Sequence, residues 1–279
     1  MTQEEFFIRY SYDLDEDYLG GGGFGKVFKA FDEVRDRWIA LKIAEVKPGM
    51  EQLSLQKEVE LSSQLPEHTN IAHYEACHQF RTPHGVFDYG ILQYYPVGNL
   101  SELIKTKKLT LAQKESIARG ILAGIKHLHD HNIIHRDLKS SNILISQRGD
   151  QSYVPKITYF GLSKMLSDAN QTHYTKSFAG GSLLYVAPEQ LAGQVVRRNV
   201  DLWSYGVVLY ELFTNRTPFY PESAEINSET GRTEVVSKIA IGKIPSAISS
   251  IPEPWQSVIR KCLIPDTKLR AVSVNAILS

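Results

Sequence analysis

Between Gln93 and Gly98 the chain changes its period. Before this stretch the apolar residues come in short runs with the two-residue alternation of strands, as around Val27–Ala30 and Trp38–Ile43, with a further run at Val86–Gln93. After it they recur at helical spacing, through Leu100–Lys105 and then Leu111–Asn132. Strands first and helices afterwards make an α+β chain. The turn residues of Tyr94-Tyr95-Pro96-Val97-Gly98 mark the joint, so the expected parts are 1–93 and 94–279. A chain of 279 residues is long enough for two such parts. The first part holds one main helix, Met50–Leu65, stopped by Pro66, and strands that include Ile71–Tyr74. In the second, helices are expected at Val200–Phe213, Thr233–Ile241, Pro254–Leu263 and Val272–Leu278. Residues 1–18 read as a lead-in and the start of a strand.

Charge narrows the partners. The 31 basic residues balance 31 acidic ones, which leaves no global field to steer nucleic acid or an anionic membrane. The longest apolar stretch, around Val200–Phe213, carries Asp201 and Glu211 and is too short and too charged to span a bilayer. MTQEEFF at the start has no basic head or apolar run of a signal peptide. Cys77 and Cys262 are too few for a disulfide framework and fit small buried hydrophobes in a reducing, cytoplasmic setting.

Three stretches carry chemistry. Leu19–Val27 reads LGGGGFGKV, with Gly20, Gly22 and Gly25 in a GxGxxG pattern. Such glycines make either a flexible turn or a hairpin whose backbone N–H groups approach phosphate oxygens. The strand-like Val27-Phe28 that follows disfavours a dinucleotide-binding turn, which needs a helix there. Lys42 lies in an apolar strand on the same face as Ala40, the face under the hairpin, where it could hold phosphate oxygens as a point charge. Glu51, Glu58 and Glu60 are its candidate partners. Glu58 borders the buried stripe of Leu55, Val59 and Ser62, whereas Glu60 faces water. The third stretch, Ile134–Leu144, puts an acid, a base and an amide in one loop as Asp137, Lys139 and Asn142. KITYFGLSK follows, then a polar segment at 163–184 that looks like a mobile loop, closed by Tyr185-Val186-Ala187-Pro188-Glu189.

In this order, LGGGGFGKV, IALK with Lys42, Glu58, HRDLKSSN at 135–142, YFG at 159–161, APE at 187–189, DLWSYGVVLYE at 201–211 and Arg270 resemble a eukaryotic-type protein kinase from about Tyr18 onward. The resemblance implies a bilobal fold: a small antiparallel sheet with one main helix, and a larger, mainly helical lobe. It implies ATP as nucleotide, with Leu19, Gly20, Gly22, Gly25, Val27, Ala40, Lys42, Leu92, Gln93, Tyr94, Tyr95 and Leu144 around it. Leu92 falls at the gatekeeper position and Gln93–Tyr95 at the hinge. Lys42 would hold the phosphates while paired with Glu58, Asp137 would orient the substrate hydroxyl, Lys139 would touch the transferring phosphate, and Asn142 would bind a metal. Asp201 would brace the loop, and Glu189 would pair with Arg270. The implied partner is a protein substrate or regulated protein. Lys139 and Ser182-Leu183-Leu184-Tyr185 favour Ser/Thr as acceptor. Arg136 beside Asp137 suits control by phosphate on Thr172, Tyr174, Thr175 or Ser177, though each taken singly reads better as an ordinary solvated loop hydroxyl.

The chain departs from the family at Tyr159, where an Asp that chelates magnesium is expected. A phenol titrates near ~10 and is uncharged at neutral pH, a poor ligand for an ion that wants anionic oxygen. Ser62 is a second departure, at a position usually apolar. Three classes remain: a Ser/Thr protein kinase weakened by Tyr159, a pseudokinase acting as a binding module, and a small-molecule phosphotransferase. The last usually lacks the long loop and APE start present here.

Overall fold

The computed structural model describes residues 1–22, 25–49, 51, 54–150, 152–158 and 180–278. They divide into two compact units, Met1–Pro96 and Val97–Ser279. The division falls after Pro96 rather than after 93, because the joint residues stay with the first unit: Tyr95 donates its hydroxyl to Gln93 Oε1 at 3.2 Å, and Lys29 Nζ lies 5.7 Å from the Tyr94 ring centroid.

The first unit is built on a six-stranded antiparallel sheet. Its strands are β1 (Tyr10–Ser11), β2 (Tyr18–Gly22), β3 (Gly25–Asp32), β4 (Arg37–Glu45), β5 (Tyr74–Thr82) and β6 (Gly85–Gln93). They run in the order β1-β3-β4-β6-β5, with β2 also paired to β3. Ile71, expected to open a strand, makes only an isolated bridge, and the strand starts at Tyr74.

The lead-in is the main correction. It holds a helix, α1 (Gln3–Arg9), started by a capping box in which Thr2 and Glu5 bond each other's backbone N–H. Phe6 from this helix is fully buried in a cluster with Tyr10, Ala30, Ile39, Leu41, Tyr89 and Ile91. Arg9 then clamps Asp32 through Nε and Nη2, both at 2.8 Å. A run of seven residues is too short to show helical periodicity.

Alternation along β4 sends Ile39 and Leu41 into that cluster and Ala40 and Lys42 to the other face. On that other face lies α2 (Leu55–Ser63), whose Leu55 approaches Gly90 of β6. The helix starts later than the expected Met50 because Ser54 caps it, accepting the Lys57 N–H. Its buried residues are Leu55, Glu58 and Ser62, while Val59 is only half-buried. Glu60 is exposed and paired with Lys57 at 2.6 Å.

Ser62 is 2% exposed, and its hydroxyl finds no hydrogen-bond partner among the described residues. A buried orphan hydroxyl costs desolvation that nothing returns. Ser62→Ala is therefore expected to raise stability by about 1 kcal/mol, read as a higher urea midpoint with an unchanged slope. A fall in the midpoint would mean the hydroxyl is bonded.

The second unit is mainly helical. It contains α3 (Leu100–Thr106), α4 (Leu111–Asp130), the pair β7 (Ile143–Gln147) and β8 (Tyr153–Ile157), then α5 (Pro188–Leu191), α6 (Asn199–Thr214), α7 (Glu229–Ile241), α8 (Trp255–Cys262) and α9 (Val274–Leu278). α7 starts earlier than Thr233 because Ser228 caps it. α6 is buried from Asn199 through Leu212 and forms the centre of this unit. An apolar helix of this kind packs on all sides. Gly206 permits the approach of α8: a Cβ there would meet Cys262 Cβ at 2.6 Å. Cys262 is buried, as its small apolar role requires, whereas Cys77 is only half-buried. Among the described residues no helix is long and apolar enough to cross a membrane.

Candidate active site

In the first unit the site is built on β4 and α2. Lys42 Nζ donates to Glu58 Oε2 at 3.0 Å, and the two side chains are each 3% exposed. Of the three candidate partners Glu58 is therefore the one that meets Lys42. Glu51 instead accepts the Gly49 N–H at 2.9 Å. Tyr74, at the start of β5, joins the pair: its hydroxyl donates to Glu58 Oε1 at 2.9 Å and accepts from Lys42 Nζ at 3.3 Å. The glycine-rich stretch forms the β2–β3 hairpin, with Gly22 opposite Gly25. Gly25, at φ +117, is needed because a Cβ would sit 2.4 Å from the Ile43 carbonyl oxygen. At Gly20 the space beside the backbone is open. Leu19 is exposed, Val27 half-buried, and Ala40 and Leu92 are buried, while Gln93 is exposed, Tyr94 half-buried and Tyr95 buried.

In the second unit the loop 135–142 is shaped by one carboxylate. Asp201 of α6 accepts the backbone N–H of His135 at 2.9 Å and of Arg136 at 2.8 Å. Its Oδ2 also bonds His129 Nε2 at 2.8 Å. Burial raises the pKa of Asp201, but the His129 contact, the nearby His135 ring and the Arg136 amide outweigh it and hold the carboxyl below its usual range. Arg136 turns through a left-handed conformation, φ 66, and the chain then presents Asp137. Its carboxylate accepts from Asn142 Nδ2 at 3.0 Å and from Lys139 Nζ at 3.1 Å. It stays 37% exposed, open to a reactant. Lys139 Nζ also donates to Ser182 Oγ at 2.8 Å, which ties the loop to the 3-10 turn Gly180–Tyr185.

The loop is further tied to β8. Thr158 donates from both N and Oγ1 to the Asn142 carbonyl, at 3.0 and 3.1 Å, and the Thr158 carbonyl meets His135 Nε2 at 2.7 Å. Leu144 of β7 is half-buried and bridges Asn99. Tyr159, Phe160 and Gly161 lie outside the described residues, as do Thr172, Tyr174, Thr175 and Ser177.

The family model described as protein kinase domain matches residues 14–279. The chain belongs to the protein kinase domain family.

Human mitogen-activated protein kinase kinase kinase 5 is 31% identical over 280 residues, covering 96% of this chain and 19% of that protein. Serine/threonine-protein kinase PrkC of Bacillus subtilis strain 168 is 32% identical over 256 residues, covering 89% of this chain and 36% of its own length. The chain thus spans well under half of these relatives. A crystal structure of Rad53 residues 1–466 in complex with AMP-PNP superposes with a TM-score of 0.75 at 26% identity, covering 98% of this chain and 65% of that one. The bilobal protein kinase fold expected from the motifs is the fold observed.

Within this kinase domain two polar clusters escaped sequence reasoning. One is Tyr74 with Lys42 and Glu58. The other joins the loop 135–142 to α6: Ser140 Oγ lies 2.9 Å from the Tyr185 hydroxyl, which donates to Glu211 Oε2 at 2.7 Å. Burial raises the Glu211 carboxyl above its ordinary value, and burial with the nearby Glu211 charge raises the Tyr185 phenol. In each cluster the partners lie at least 16 residues apart, so no local spacing signals them.

Proposed function

We propose that this kinase domain binds ATP and transfers its γ-phosphoryl group to a serine or threonine of a protein substrate. The observation that carries the reading is the Asp137 carboxylate, held by Asn142 and Lys139 yet 37% exposed. So placed, Asp137 can accept the proton of an attacking hydroxyl while Lys139, bonded to Ser182, offers positive charge beside it. ATP supplies the phosphoryl group, and the buried Lys42 ammonium, oriented by Glu58, would hold its non-transferred phosphates. Lys139, Ser182 and the relatives' names support Ser/Thr over Tyr as acceptor.

Magnesium fits this chain poorly. Among the described residues no group of three His, Cys, Asp or Glu is suited to hold a metal. The Asn142 amide nitrogen is spent on Asp137, which leaves one neutral amide oxygen for a cation. Tyr159, in place of the family's metal-binding Asp, adds an uncharged phenol. The acid and lysine roles above therefore stand without the ion, and transfer is weak. Tyr159 also favours a second reading, a nucleotide-binding pseudokinase that regulates a partner protein. Both readings place the chain in the cytoplasm.

Titration of ATP with and without magnesium, beside phosphotransfer assays of the chain and of Tyr159→Asp, separates them. The expected outcome is nucleotide binding that depends little on magnesium, weak transfer by the parent, and transfer raised by about 10²–10³ in Tyr159→Asp. An inert parent restored to strong transfer leaves the pseudokinase reading. Absence of nucleotide binding in both forms removes the ATP reading altogether.

A further inference from the structure

We propose that Tyr74 is a positioning residue for the phosphate-binding lysine, and that Gly90 is the seat that lets it act. The idea rests on the phosphotransfer reading for what Lys42 does, but on geometry alone for how Lys42 is held. The Lys42 ammonium has only protons to give, and the Glu58 carboxylate only lone pairs to accept with. A hydroxyl bonded to both must therefore accept from Lys42 and donate to Glu58. The distances match that single arrangement: 3.3 Å from Lys42 Nζ to the hydroxyl and 2.9 Å from the hydroxyl to Glu58 Oε1. The other carboxylate oxygen, Oε2, takes the direct Lys42 bond at 3.0 Å. Three side chains from β4, α2 and β5 thus close a ring of hydrogen bonds, and no donor or acceptor in it is interchangeable.

The ring matters because the buried face of α2, among the described residues, is largely polar. Its buried face is Leu55, Glu58 and Ser62, two of them polar, and Ser62 makes no hydrogen bond among the described residues. At its first turn a second polar tie comes from β6: Asp88, fully buried, accepts the Gln56 N–H at 3.0 Å and Gln79 Nε2 at 2.8 Å. Asp88 adds to the Ser54 cap at the helix start. Tyr74 sets how Glu58 is turned.

Gly90 supplies an independent observation. It pairs with Lys42 on β4 and with Cys77 on β5, directly under the ring. Its backbone does not need glycine, since it is absent from the positive-φ residues. What it needs is space: a Cβ would lie 3.0 Å from Leu55 Cδ2 and 3.0 and 3.2 Å from the Tyr74 ring carbons Cε1 and Cδ1. A Cβ at position 90 would push the Leu55 side chain and the Tyr74 ring away by a few tenths of an ångström. Glycine here lets the phenol lie flat enough for its hydroxyl to reach Glu58.

The test uses Tyr74→Phe, which keeps the ring in its seat and removes only the hydroxyl. Urea unfolding is measured for the parent, Tyr74→Phe, Glu58→Ala and the double variant. Tyr74→Phe is expected to lower the midpoint in the parent and to lower it less in the Glu58→Ala background, where only the longer bond from Lys42 remains. Equal shifts in both backgrounds overturn the bond. ATP affinity and steady-state kinetics are then compared. Tyr74→Phe and Gly90→Ala are both expected to weaken ATP affinity and raise ATP KM about tenfold, with a smaller change in kcat. A purely structural role would instead lower kcat through a smaller folded fraction and leave KM in place. An ATP affinity and KM within twofold of the parent for Tyr74→Phe overturn the positioning role even if the cycle shows coupling. Should the parent bind no ATP, the phosphotransfer reading and the positioning role that rests on it fall together, while the unfolding cycle still decides whether the hydroxyl holds Glu58.

Discussion

Arg270→Ala is expected to cost this kinase domain about 3–5 kcal/mol of stability. Arg270 is 1% exposed and meets Glu189 in a bidentate pair, Nη1 to Oε1 at 2.7 Å and Nη2 to Oε2 at 2.9 Å. Every remaining guanidinium proton direction is used as well: Nε donates to the Ile264 carbonyl at 2.9 Å, Nη1 to Asn199 O and Nη2 to Pro265 O, each at 3.2 Å. The guanidinium carbon also lies 5.0 Å from the Trp203 ring centroid. Truncation to alanine strands the buried Glu189 carboxylate and three backbone carbonyls at once, and an uncompensated buried charge is the most expensive of these. Single-domain stabilities are only about 5–15 kcal/mol, so the variant would be largely unfolded near its former melting temperature. Denaturant unfolding measures the loss. Removing both charges together, as Glu189→Leu with Arg270→Met, should cost less than Arg270→Ala alone, because no charge is left stranded. A loss below about 1 kcal/mol in Arg270→Ala would mean the pair is solvated in solution.

Asp137→Asn should lower phosphotransfer by about 10²–10⁴ while leaving the fold and ATP affinity in place. The substitution keeps the shape of the side chain and its 37% exposure but removes the lone pair that takes up the substrate proton. The amide oxygen that remains can still accept from Asn142 Nδ2, which now donates to Asp137 Oδ2 at 3.0 Å. Lys139 keeps its bond to Ser182 at 2.8 Å, so the loop remains tethered. The measurement is single-turnover phosphotransfer beside an ATP titration. A rate unchanged from the parent would show that proton removal is not the work of Asp137, and a parallel loss of ATP affinity would show that the variant had disturbed the loop.

Much of the site could be read from local order. HRDLKSSN places acid, lysine and amide within six residues, Asp137 to Asn142, and the structure keeps them within hydrogen-bond reach of one another. Ala40 and Lys42 share a strand face because alternation demands it, and the buried run of α6 was visible as an apolar stretch. Element ends were less legible, since they depend on caps such as Ser54 and Ser228, whose hydroxyls look like any loop serine until they meet an amide. α1 was missed altogether. Its helix makes sense only once Phe6 has a sheet face to cover, and that face is assembled from residues as distant as Ile91.

The order of the motifs, read from the chain alone, determined the family and therefore the fold, because each motif is a short segment recognisable from its own residues. Which of Glu51, Glu58 and Glu60 meets Lys42 was a tertiary decision. So was the addition of Tyr74 to that pair, and the use of one carboxylate, Asp201, to shape the loop that presents Asp137. These contacts run between elements whose relative register is set by sheet pairing and helix packing. A one-residue slip in the sheet pairing would turn the same side chains to the opposite face, and one in the helix would rotate them by about 100°.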